Sequence, residues 1–143
     1  MSDDPLDTNV LLSNRQEMPV DEEGLRELAT SCLKAEGRQE AELSVSFVTL
    51  DEMAGLHERY MSEPGPTDVL SFPMDAREEE TQVLGDVVIA PEFAAGNNSD
   101  LRSELRLLLV HGILHLLGYD HEDDADRATM WERQERYTGV AVP

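Results

Sequence analysis

Residues His111 to His121 read HGILHLLGYDH and hold three of the chain's four histidines. Their spacing constrains the chain more than any other feature. On a helix, His111 and His115 stand one turn apart on one face, so two imidazoles reach the same metal ion. Gly118 ends that helix by turning left-handed, and the turn carries His121 back as a third ligand. Three neutral nitrogens at one point, with a fourth position open, make a catalytic zinc site rather than a closed structural one. The plainer reading is two histidines on an apolar helix face and one in a loop. Against it, the i, i+4 pair, the glycine and the third histidine each follow a spacing rule of zinc sites.

The rest of the chain bounds what such a site serves. Its 143 residues fit one domain, spanning 1–143, with a substantial core. With 40% hydrophobic and 29% charged residues, it has the balance of a soluble globular protein with an acidic surface. The longest apolar run, Leu107 to Leu117, is broken by His111 and His115 and falls short of the roughly 20 residues a membrane span needs. The start, MSDDPLD, is acidic where a secretory signal is positive. The single cysteine, Cys32, excludes an internal disulfide framework. Lying among Leu25, Leu28 and Leu33, it reads as packing, and a cytoplasmic location is expected. The net charge of −20 argues against a polyanionic partner, because phosphate contacts normally need a basic footprint. A cleft with a divalent ion and a few arginines can still be locally positive.

Four strands and five helices are expected. Asn9 to Ser13 forms a short strand, and Asp21 to Glu36 an amphipathic helix with acidic residues in its first turn. Leu43 to Leu50 alternates apolar and polar residues as a half-buried strand does, and Asp51 caps a second helix running to about Tyr60. Asp68 to Phe72 is a third strand, the charged segment Asp75 to Gln82 a loop, and Val83 to Ala90 a fourth strand. Pro91 opens a short helix that Gly96-Asn97-Asn98 stops. Ser99 or Asp100 caps the histidine helix, and a last helix runs from about Asp123 to Tyr137, with Met130 and Trp131 on its buried face. Strands and helices mix without strict alternation, which implies one mixed sheet covered by helices.

A zinc ion in such a site lowers the pKa of bound water toward ~7 or polarises a phosphoryl or carbonyl oxygen, so hydrolysis is the reaction class. The spacing coincides with the metzincin pattern HExxHxxGxxH, but Gly112 stands where that protease needs its general-base glutamate. HGILHLLGYDH instead resembles the signature HGxLHLxGYDH of the YbeY family, single-strand-specific metallo-endoribonucleases of ribosomal RNA maturation. Pro66 to Pro73, PTDVLSFP, is similar to that family's other hallmark, and Gly85 to Ile89, GDVVI, to its GDIVI strand. The resemblance implies an α+β fold distantly similar to metalloproteases, with metal ligands His111, His115 and His121. It also implies Zn2+ as the cofactor, maturation of the 16S 3′ end and ribosome quality control as the process, and ribosomes or ribosomal proteins as partners. The family usually carries an arginine after the aromatic residue of its second helix; here Met61 follows Tyr60. Arg59, about 200° away around the helix, is the available substitute.

Other candidates have bland alternatives. Asp120 either orients a ligand imidazole and accepts a proton, or caps the final helix. Glu104 and His57 read as solvated, Arg106 as surface, and Thr67, Asp68 and Ser71 as hydrogen-bonding residues of a strand edge. Arg127, Arg133 and Arg136 alternate with acidic residues as on a solvated face. Two rival functions remain open: a zinc-binding ribosome-assembly factor with little catalysis, and a zinc metallopeptidase.

Overall fold

A computed structural model describes residues 9–74, 83–97, 100–120 and 122–139. In chain order the elements are β1 (Val10–Asn14), α1 (Glu22–Ala35), β2 (Glu42–Phe47), α2 (Leu50–Met61), β3 (Val69–Pro73), β4 (Val83–Ile89), α3 (Pro91–Asn97), α4 (Leu101–Leu116) and α5 (Asp124–Thr138). The strands form one mixed sheet in the order β1-β2-β4-β3. β1, β2 and β4 run parallel, and β3 pairs antiparallel with β4 at the edge. Among the described residues the α+β fold, with a four-stranded sheet and five helices, is therefore as expected.

Period-2 alternation divides the sheet's two faces. Leu43, Val45 and Phe47 of β2, with Val87 and Ile89 of β4, point into the larger core, which α1, α4 and α5 complete. Val88 and Leu70 point the other way, against Met53 of α2. α4 is apolar nearly all round because it is the central helix: Leu105, Leu108, Leu109, Val110, Ile113, Leu114 and Leu116 are all buried. It packs on β3 and β4 and against α1, α3 and α5. Among the described residues no helix is long and apolar enough to cross a membrane.

Several boundaries differ from expectation for local reasons. β2 ends at Phe47, not Leu50, because Thr49 is the cap of α2, its hydroxyl accepting from the Glu52 amide at 3.1 Å. Asp51 sits inside the first turn instead. Of the two caps open for α4, Asp100 takes the role, accepting from the Ser103 amide at 3.2 Å. The final helix is capped by Asp123, which accepts from the Asp126 amide at 2.8 Å, so Asp120 is not its cap. Asp75 to Gln82, Ser99 and His121 lie outside the described residues.

Candidate metal centre

The site is built on the last two turns of α4. His111 and His115 are half-buried, their ring centroids 4.6 Å apart and their planes 76° from parallel. This is the same-face pair that the i, i+4 spacing predicted. After His115 the helix closes with two bonds, Gly118 N–H to the His115 carbonyl and Tyr119 N–H to the Leu114 carbonyl, each 3.0 Å. Gly118 has φ +103°, a conformation that strains any residue with a Cβ. The turn foreseen at Gly118 is therefore present.

Close packing explains the position between the histidines. Gly112 faces the sheet, where an added Cβ would lie 2.7 Å from Val87 Cγ1 and 3.2 Å from Ser71 Oγ. Ser71 and Val87 are cross-strand partners on β3 and β4. The Ser71 hydroxyl donates to the Gly112 carbonyl at 3.2 Å, tying the edge strand to the helix beside His111. A glutamate at position 112 has no room, and the carboxylate of a zinc protease cannot stand there.

The two imidazoles open on a cleft of about 370 Å³, lined also by Met61, Val69, Leu70, Ser71, Pro73 and Leu116. Among these described lining residues there is no carboxylate, although the chain's net charge is −20. Met61, 44% exposed at the end of α2, forms the wall where the family resemblance would place an arginine. Arg59 is exposed, its guanidinium 6.0 Å from the Tyr60 ring, and is not among the lining residues. Asp120 is half-buried near the acidic start of α5; together with the nearer Asp123, its charge helps hold the Asp126 carboxyl above the usual carboxylate range.

On the side away from the cleft, His111 meets α5. Its Nδ1 lies 2.5 Å from Gln134 Oε1, and its ring is 6.0 Å from that of Trp131. An amide oxygen only accepts, so in a neutral ring this contact calls for the proton on Nδ1 and leaves the lone pair on Nε2. A neutral imidazole in that form suits a zinc ion, and the donor set fits the metal. Among the described residues no group of three or more histidine, cysteine or carboxylate side chains is gathered to hold an ion. His111 and His115, two of the three ligands expected from the sequence, stand together, and the third, His121, lies outside the described residues.

The chain matches the family model described as Endoribonuclease YbeY over residues 11–140. It belongs to the YbeY family. The Endoribonuclease YbeY of Thermobifida fusca is 46% identical, the match covering 86% of this chain and 87% of that protein. That of Acidothermus cellulolyticus is 44% identical over 91% of this chain and 95% of its own length. The solution structure of TM1509 from Thermotoga maritima aligns with a TM-score of 0.65 and 31% identity, covering 90% of this chain and 86% of that one.

Within this YbeY-family chain, several side chains do more than their sequence context suggested. His57 is not solvated: its side chain is 14% exposed, with Nδ1 2.9 Å from the Gly65 carbonyl and Nε2 3.5 Å from Glu63, and it anchors the loop between α2 and β3. Arg106 is half-buried along a groove between α1 and α4 rather than on open surface. Arg127 and Arg136 pair with Asp124 and Glu132 as on a solvated face, but Arg133 reaches inward to Glu36 at 3.4 Å. Glu36, whose side chain is 10% exposed, also accepts from the Tyr119 hydroxyl at 2.8 Å and from the Tyr137 hydroxyl. This carboxylate joins α1, the turn after α4, and α5. Cys32 is buried beside it, its thiol pushed up to about 12 mainly by burial, which fits packing rather than chemistry.

Proposed function

We propose that this protein is a zinc-dependent endoribonuclease that cleaves single-stranded RNA, acting in the cytoplasm on ribosomal RNA in 16S 3′ maturation and ribosome quality control. The observation that carries the reading is the His111–His115 pair, held at 4.6 Å in a cleft whose described lining has no carboxylate to repel a phosphodiester. His111, His115 and His121 hold the ion, through neutral nitrogens that leave its positive charge uncompensated. When bound, zinc supplies Lewis acidity toward a phosphodiester oxygen and toward the attacking oxygen.

The chain's own residues bind and orient the RNA. β3 is the edge of the sheet, so one unpaired strand can lie along it beside the histidines. Arg59, exposed at the end of α2 and outside the described cleft lining, is the cation proposed to reach an incoming RNA phosphate from beyond the cleft, where Met61 offers no charge. Asp120, adjacent to His121 in sequence, orients that imidazole or accepts a proton. Ribosomes or ribosomal proteins are the proposed partners. A peptidase is disfavoured, because position 112 has no space for a general-base carboxylate. The apolar Met61 wall favours one second reading, a ribosome-assembly factor that binds zinc and RNA with little turnover.

The test incubates a single-stranded fragment bearing the 16S 3′ region with zinc-loaded protein and with His115→Ala. Cleavage by the wild-type protein and only background with the variant is expected. Equal cleavage by both would overturn the enzyme assignment. Retention of the RNA without cleavage by either supports the assembly factor.

A further inference from the structure

A buried polar side chain is costly unless its hydrogen bonds are met, so each one calls for a reason. Among the described residues, the buried polar side chains are Gln134 and Thr138, one turn apart on the face of α5 that also buries Met130. Thr138 is explained locally, since its hydroxyl donates to the Gln134 main-chain carbonyl at 2.7 Å. Gln134, only 2% exposed, reaches instead to another helix. Its Oε1 meets His111 Nδ1 at 2.5 Å across the α4–α5 interface. A leucine or methionine would fill the same space without a desolvated amide. Trp131, the residue after Met130 and three before Gln134, packs edge-on against the same imidazole and restricts its rotation.

We infer that Gln134 is a positioning residue of the metal centre, holding His111 with its proton on Nδ1 so that Nε2 is the atom presented to the ion. Oxygen acceptors behind zinc-bound imidazoles act this way in general, and losing one typically costs 10–100-fold in metal affinity. Here the acceptor is a neutral amide. It fixes the ring without adding a negative charge behind the ion, which suits an anionic phosphodiester. The affinity consequence rests on the zinc reading proposed above; the tautomer belongs to the metal-free protein.

Two measurements on the 143-residue chain test the inference. In long-range nitrogen–proton NMR of the metal-free wild type at about pH 8, where a free imidazole is neutral, His111 should show a protonated Nδ1 and an unprotonated Nε2. The opposite pattern would overturn the inference, and no variant has to fold for this to be seen. Zinc alone is then titrated against a competing chelator. Gln134→Leu should weaken binding about 10–100-fold, and Gln134→Glu, which keeps an oxygen acceptor, should restore it to within about threefold of wild type. Unchanged affinity in Gln134→Leu, or no rescue by Gln134→Glu, would reduce Gln134 to packing. If the wild type binds no zinc, the metal reading fails, and the tautomer spectrum alone decides the part assigned to Gln134.

Discussion

Two polar clusters lie toward the C-terminal end of α4 and face different ways. At one, a carboxylate is enclosed by donors: Glu36 takes the hydroxyls of Tyr119 and Tyr137 and the guanidinium of Arg133. At the other, His111 and His115 stand in an open cleft, with Gln134 behind His111. The Glu36 carboxylate is met by donors of the protein itself and joins α1 to residues 83 to 101 positions away, in the turn after α4 and in α5. His111 is backed by Gln134, and both imidazoles line a cleft. A closed polar cluster contributes to stability, whereas an open one holds chemistry in reserve for a ligand. The segment Gly118 to Asp120 links the two, since Tyr119 of the histidine motif is itself a donor to Glu36.

Glu36→Ala is the strongest way to break this division. Two phenols would lose a charged acceptor, at a cost of about 2 kcal/mol, read as a lower urea midpoint. Zinc affinity should fall by a smaller factor than the folding constant does. A larger loss of zinc affinity would show that the Glu36 group serves the metal centre rather than the fold.

Gly112→Ala tests how tightly the site is backed by the sheet. Alanine is the better helix former by about 1 kcal/mol, but its Cβ would lie 2.7 Å from Val87 Cγ1. Overpacking of this kind costs about 1–3 kcal/mol, so a net loss near 1 kcal/mol is expected, together with weaker zinc binding as α4 is pushed outward. Adding Val87→Ala should recover part of both losses. If the double variant is no better than additive, Val87 is not the obstacle.

The smallest effect concerns alkaline pH. Burial first, and then the bond to Glu36, push the Tyr137 hydroxyl from 10.0 to about 12, and burial takes the Cys32 thiol from 9.0 to about 12. The folded chain therefore keeps protons that the unfolded chain releases first. Stability is full below the unfolded values and declines as pH rises from about 9 toward about 12. Tyr137→Phe should flatten the part of that decline above pH 10, seen in urea midpoints measured across the range. An unchanged slope would mean that Tyr137 does not titrate as a member of the Glu36 group.

Local pattern carried much of this protein. The i, i+4 histidines, the left-handed Gly118, the alternation of β2 and the apolar run of α4 each follow from helix and strand periodicity, and the structure has them where the residues place them. The start of α2 moved because Thr49, not Asp51, is its cap, while α5 starts where expected, with Asp123 rather than Asp120 as its cap. Charged neighbours suggested that Arg133 was a surface residue, because they give no hint of a partner 97 positions away, and helix periodicity suggested the same of Arg106.

The histidine helix, its turn and the family were legible from the residues alone, since all three depend on spacing within a few positions. Packing between elements was needed to make Met61 a cleft wall, to leave Gly112 no space for a side chain, and to set Gln134 of α5 behind His111 of α4. The physical reason is range. Periodicity specifies which face of a helix a residue occupies, but only the packing of that face against another element specifies which atom it meets.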